Sequence, residues 1–221
     1  MNQIWLNAVR ASARAAVAPW WLAGGAPEPV AVYQPIGAAS LAASYVNLAN
    51  PGTFDAAPGV APTWASGTGW AFNGTSQFLT TGVTFSGNQT YSVLLRFSNA
   101  VFVGNFRRLL GAVQNYEIML SPQFLSNFRG YTHGAQRTPS GTNAAGVMGF
   151  AGRQPYFDGV TDGNPIAETI GVDSDPVFIG GRNNAGVAQT FFQANVQAIA
   201  IYSSTLDASQ VAAVSAAMAA L

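Results

Sequence analysis

The sequence predicts an all-β fold, two packed antiparallel sheets preceded by an N-terminal arm and followed by a short helix, and three observations carry that expectation. First, apolar runs of strand length recur between turn residues: Tyr91 to Phe97, Arg108 to Val113, Tyr116 to Leu120, Phe124 to Tyr131, Gly146 to Ala151, Gln154 to Phe157, Pro176 to Ile179 and Val196 to Tyr202. Short strands at such spacing mark a sandwich. Second, Gly69 to Gly82 reads as a hairpin, with Trp70 and Phe72 alternating before Asn73 and Gly74, a pair that tolerates positive φ, and Phe78 and Leu79 resuming the apolar run. Third, helical periodicity is clearest at the C-terminus. There Asp207 stands three before Gln210, as in a capping box, and Val211, Val214, Met218 and Leu221 follow on one stripe.

The remaining elements follow in chain order. In residues 1–26, Trp5, Ala8, Val9, Ser12 and Ala16 keep helical spacing until Pro19 ends the pattern before Trp20 and Trp21. The late arginines and Pro19 argue against a secretory signal, and the run falls short of the roughly 20 apolar residues of a membrane span. An arm docking on another subunit is expected, anchored by Trp5, Trp20 and Trp21; the rival arrangement folds the arm back over its own sandwich. Pro27 to Pro35 reads as an extended linker or edge strand, because proline cannot donate to a ladder. The expected division is therefore an arm and linker over 1–35 and a sandwich with its helix over 36–221. Leu41, Tyr45 and Leu48 suggest a helical turn capped by Ser40, and 51–62 is turn chemistry. Tyr91, Val93, Leu95 and Phe97 share one strand face, with Ser92, Leu94 and Arg96 on the other.

Composition bounds the function. A chain of 221 residues fits one β-sandwich domain and buries a core without staples. The absence of cysteine excludes disulfides and thiolate metal sites. Charged residues make up 8% of the chain and sum to zero, and all nine basic residues are arginines, so there is no nucleic-acid footprint. With 49% apolar residues and 24 glycines, either part of the surface is covered by partners or the abundant Asn, Gln, Ser and Thr solvate it.

Four blocks, in order, resemble laminin-G-like domains, members of the concanavalin A-like lectin/glucanase jelly rolls: Phe72, Asn73, Gly74 and Leu79; Tyr156, Phe157, Asp158 and Gly159, where the family has a Tyr-x-Asp-Gly hairpin; Phe178, Ile179, Gly180, Gly181 and Arg182; and Val196, Ala198, Ile201, Tyr202 and Leu206. The resemblance covers 64–210 and implies a jelly roll. The alanine-rich flanks and the segment from Tyr33 to Trp64 are similar to structural proteins of tailed phages and prophages. That second resemblance implies a non-catalytic component of a virion or other extracellular assembly, with partners that are copies of itself or other subunits. The alternative is a glycan-binding module for surface attachment.

Site residues follow from the same chemistry. Glycosidases need two carboxylates flanking one cleft, and Glu117 stands alone before Ile118, Met119 and Leu120, so no catalytic residue is expected. His133, the single histidine, lies in a polar loop without a Gly-x-Ser-x-Gly elbow and cannot by itself furnish a zinc site. No cofactor is expected. Asp173 and Asp175 are turn acids of the kind that hold calcium at a laminin-G-like rim, and equally ordinary turn residues. Trp64, Trp70 and Tyr156 fit core positions or a sugar-stacking platform. Arg182, Asn183 and Asn184 are the glycan-rim candidates, since nothing apolar surrounds the amides.

Overall fold

The computed structural model describes residues 18–85, 91–113, 117–125, 128–131, 136–138, 143–166 and 174–221. Its strands are β1 (Ala31–Tyr33), β2 (Ala57–Val60), β3 (Thr63–Ala65), β4 (Gly69–Asn73), β5 (Phe78–Thr80), β6 (Ser92–Val101), β7 (Leu110–Val113), β8 (Glu117–Leu125) and β9 (Phe128–Tyr131). They continue with β10 (Gln136–Thr138), β11 (Gly146–Ala151), β12 (Gln154–Phe157), β13 (Val160–Thr161), β14 (Phe178–Ile179), β15 (Arg182–Asn184), β16 (Val187–Gln189) and β17 (Gln193–Tyr202). The helices are α1 (Leu41–Ser44) and α2 (Ala208–Ala219), and Trp20–Gly25 forms a short 3-10 strap.

The strands form two sheets. The first runs β13-β12-β11-β6-β17-β4-β3 with β1 also on β17; the second runs β10-β9-β8-β7-β14-β5-β2, with β15 beside β7 and β16 beside β15. Apart from β15 on β7, every pairing between these strands is antiparallel. This is the expected β-sandwich. Between the sheets lie Trp70, Phe72, Leu79, Val93, Leu95, Phe97, Leu110, Ile118, Leu120, Phe150, Ile179 and Ile199, all buried. Period-two alternation puts Leu94 of β6 on the opposite face, with Val147, Ala198, Ala200 and Tyr202, where Val211, Val214 and Met218 of α2 cover it.

Both expected helices form where their caps stand. Ser40 accepts the Ala43 N–H at 3.0 Å, and Asp207 and Gln210 complete a reciprocal capping box. Leu48 and Leu221 leave their stripes, because each lies beyond its helix, and they are 40% and 37% exposed.

The hairpin expected at 69–82 is corrected. β4 pairs with β3 and β17 in the first sheet, whereas β5 pairs with β2 and β14 in the second, so the turn after Asn73 is a crossing between sheets. The Asn73 side chain makes that crossing: its Oδ1 accepts the N–H groups of Thr75, Ser76 and Gln77, and Gly74 adopts φ +72°. The hairpin at Asp158 and Gly159 forms as read, both residues having positive φ (+48° and +78°), as a type I′ turn requires.

The chain from residue 18 onward is built into the sandwich. Val32 of β1 is fully buried, and β1 pairs residue for residue with Ile199 to Ile201, so sheet pairing begins before the domain boundary expected at 35. Asn47, wholly buried, holds this stretch together. Its Oδ1 accepts from Val32 and Ala49 N–H, and its Nδ2 donates to Val30 and Thr53 carbonyls.

Candidate functional site: an aromatic face on the second sheet

Register fixes which side chains reach the outer face of the second sheet. Leu110 and Ile179 point into the core, so their strand neighbours Gly111 and Phe178, which pair with each other, point outward together with Met119 opposite Gly111. Phe78 of β5 lies on the same side and stacks on Phe178 with ring centroids 4.9 Å apart; Phe191 follows at 6.3 Å.

Glycines make room for these rings. A Cβ at Gly59 would fall 2.0 Å from the Phe78 ring, one at Gly130 would fall 2.7 Å from Phe124 Cβ, and one at Gly181 would fall 3.0 Å from the Phe191 ring. Each aromatic therefore rests directly on backbone, in a layer that any larger residue would push outward.

Phe106 is the most exposed ring of this layer, at 50%. Its φ is +61°, a left-handed conformation that bulky residues rarely adopt. Both of its peptide groups are tied: the N–H donates to Phe124 O at 2.7 Å, and the carbonyl accepts from the Arg108 guanidinium. Its ring stands edge-on to Phe124 at 5.2 Å and 89°, and Arg108 lies over the Phe124 ring at 4.9 Å.

Arginines frame the face. Arg107 donates from Nε to Val103 O at 2.7 Å and from Nη1 to Gly74 O and Phe191 O at 2.8 and 3.0 Å, knitting three loops into one end of the sandwich. The stems of Arg108 and Arg182 flank Gly111, and Arg182 Nη2 donates to Gln189 Oε1 at 3.1 Å.

The structure separates the three expected rim residues. Arg182 borders the aromatic face, and Asn184 turns to Gln189 Oε1 at 3.4 Å. Asn183 is 1% exposed and closes the β15–β16 turn, with Nδ2 donating to Pro176 O and Oδ1 accepting the Gly186 N–H. Phe106, Arg107 and Phe191 escaped the sequence reading because Phe102 to Arg108 lacks strand alternation and the supporting glycines are remote in the chain. The usable signal was the run of glycines within strands and just after them, at 111, 130 and 181.

Elsewhere, Trp20 and Trp21 pack on the chain's own first sheet beside α2. Trp20 Nε1 donates to Gln34 Oε1 at 2.8 Å, and the Tyr202 hydroxyl donates to Trp21 O at 2.7 Å. This is the fold-back arrangement for residues 18–26. Trp5, His133 and Asp173 lie outside the described residues. Trp70 and Tyr156 are buried, Trp64 is half-buried, and the indoles of Trp70 and Trp64 donate to Ser44 Oγ and Pro35 O.

The described aspartates are engaged locally. Asp55 accepts from Asn47 and Gly52 N–H, Asp158 from Val147 N–H, Asp175 from Ala185 N–H, and Asp207 caps α2. Asp162 forms a two-pronged pair with Arg129 (2.7 and 2.8 Å) between the sheets and accepts from the Tyr131 hydroxyl at 2.6 Å. Burial, then the neighbouring Asp162 charge, pushes the Tyr131 hydroxyl well above its usual range. Burial alone would lower the Arg129 guanidinium, but Asp162 and Tyr131 together raise it, so the guanidinium stays charged. Among the described residues no group of three or more His, Cys, Asp or Glu is placed to hold a metal ion. No helix among them is long and apolar enough to cross a membrane.

No protein-family model matches the chain, and no curated relative does. The fold is similar to a mutant Trypanosoma rangeli sialidase displaying trans-sialidase activity, with a TM-score of 0.57, 18% identity, and coverage of 86% of this chain and 33% of that one. It is also similar to T. rangeli sialidase in complex with 2,3-difluorosialic acid (TM-score 0.58, 17% identity, 84% and 32% covered). A third similar structure is domain 4 of AbnA, a GH43 extracellular arabinanase from Geobacillus stearothermophilus, in complex with arabinotriose (TM-score 0.54, 17% identity, 85% and 98% covered). The chain thus spans about a third of the sialidases and nearly all of the arabinanase domain. These likenesses establish the fold, a β-sandwich of the kind found in sialidases and arabinanases.

Proposed function

We propose that this protein is a non-catalytic glycan-binding module that attaches to carbohydrate through the aromatic face of its second sheet. The observation that carries the reading is Phe106: a half-exposed ring in a left-handed conformation, tied at both peptide groups and standing edge-on to Phe124 on the face that also carries Phe78 and Phe191. Strained, exposed aromatics are costly for a merely structural loop and cluster at binding sites, and sugar rings bind by laying their C–H faces on such surfaces. The arabinanase domain of similar fold and size, seen with arabinotriose, is consistent with this use of the sandwich. The laminin-G-like motifs point the same way. The non-catalytic part rests on the described aspartates, each bonded within the fold, so that among them no acid and nucleophile are paired across a cleft.

The test is a glycan array probed with the full chain. Saturable binding that falls on Phe106→Ala, with no release of reducing sugar, is the expected result. Uniform absence of signal, or hydrolysis of a bound glycan, would overturn the reading.

A second reading, a subunit of a virion or other extracellular assembly, is favoured by the scarcity of charge, 8% of residues, together with the exposed Phe54, Val160 and Val187. The phage-like wording of 33–64 supports it as well. The two readings combine if an assembly displays the module outward through residues 1–17. Deleting 1–17 should then leave a folded monomer that retains sugar binding but no longer incorporates into particles.

A further inference from the structure

We infer that the ligand is a neutral sugar recognised by ring stacking on Phe106, and that the arginines around the face are scaffold rather than anion receptors. The inference rests on the glycan-binding reading above and narrows it to a ligand class. A face bordered by Arg107, Arg108 and Arg182 looks in sequence like a receptor for carboxylated or sulfated glycans. The geometry directs those cations inward. Arg107 spends Nε and Nη1 on the carbonyls of Val103, Gly74 and Phe191, joining three loops. Arg108 is 4% exposed, lies over Phe124 and bonds the Phe106 carbonyl, so it fixes the Phe106 peptide from beneath. Arg182 leans on Gln189 Oε1.

The most exposed large side chains are apolar, Phe106 at 50%, Val103 at 49% and Val60 at 45%, while Phe78, Phe191, Arg107 and Arg182 are half-buried, the two arginines through the hydrogen bonds just named. Charge does not lead the approach to such a surface. An uncharged C–H face matches it, and a carboxylate would lose hydration there while meeting guanidinium groups already bonded to backbone carbonyls and to Gln189 Oε1. Holding Phe106 in place before the ligand arrives lowers the ordering cost of binding.

The experiment uses the full chain against two matched sets, neutral gluco-, galacto-, manno- and arabino-oligosaccharides and their carboxylated or sulfated counterparts, with Phe106→Gly as the variant. Glycine is at ease at φ +61°, so this variant should hold its melting temperature while losing the ring. The expected result is binding of neutral oligosaccharides that changes less than about twofold between roughly 0.05 and 0.5 M salt, and that weakens by about tenfold or more in Phe106→Gly. Preference for the acidic set with steep salt dependence would overturn the inference and leave the glycan-binding reading standing. Neutral binding untouched by Phe106→Gly would also overturn it. Failure of both sets to bind would overturn the glycan-binding reading itself.

Discussion

The two outer faces of this sandwich are finished in opposite ways. The first sheet presents small and branched residues, Val147, Ala151, Ala198 and Ala200, and the chain covers them with its own α2 and strap; a Cβ at Gly24 would come within 2.7 Å of Ala213 Cβ. The second sheet carries Phe78, Phe124 and Phe191 on glycine-made hollows, with Phe178 stacked on Phe78; Phe124 and Phe178 are buried beneath their neighbours, and α2 packs on the other sheet. Small residues let a helix approach closely and bury both partners, a solution aimed at stability. Large rings on a glycine floor leave Phe106 half-exposed at their edge, the apolar surface to which the proposed function assigns contact with a ligand. The contrast predicts that changes at the first face move stability and leave binding alone, whereas changes at the second do the reverse.

The largest effect is expected where the sheets are tied together. Arg129→Ala leaves Asp162 buried without its partner, and breaking such a pair costs about 3–5 kcal/mol; urea unfolding should show it, with m unchanged. A loss below about 1 kcal/mol would mean that the cluster is solvated in solution. At the helix-covered face, Met218→Ala removes a fully buried side chain and should cost about 2–5 kcal/mol while any sugar affinity stays constant. A parallel fall in affinity would erase the distinction between the faces.

At the aromatic face, Gly130→Ala places a methyl against Phe124 Cβ and Met119 Cε at 2.7 and 2.9 Å, displacing the ring that supports Phe106. Overpacking of this kind costs about 1–3 kcal/mol, and here binding should fall further than stability, read as affinity loss in folded protein.

Much of the fold was legible because its signals are local. Asp207 with Gln210 and Asp158 with Gly159 specify a helix start and a turn within a few residues, and both form as read. The segment around Asn73 misled because Asn-Gly between apolar runs is also what a crossing between sheets needs. Only the partners of β4 and β5, distant in sequence, separate the two outcomes. The site was less legible still. Arg182 was picked out, but its neighbours Asn183 and Asn184 serve the β15–β16 turn, and Phe106 stands in a loop whose conformation depends on Phe124 O and Arg108. A strained residue held by remote partners leaves no periodic trace.

The smallest expected effect is at the α2 cap. Hydrogen bonds from Ser209 Oγ and the Gln210 N–H hold the Asp207 carboxylate below its ordinary 3.8. A lowered folded value means that the cap's contribution is complete above the ordinary value and is lost as pH falls through the folded one. Amide exchange in the first turn of α2 should therefore quicken only in strongly acidic solution, and Asp207→Asn should remove that dependence while exchange at the aromatic face stays unaltered.

The central claim is that the aromatic outer face of the second sheet, around Phe106, is where ligand sits. Backbone NMR shift mapping of the full chain, titrated with a neutral oligosaccharide that binds, tests it most directly. The account predicts shifts concentrated at 58–60, 78–80, 103–108, 178–182 and 189–191, with residues 208–219 and 18–26 still. Shifts centred on α2, or on the cleft of about 280 Å³ lined by Gln34, Gly37, Ala38, Ala39, Ala43 and Leu48, would contradict it.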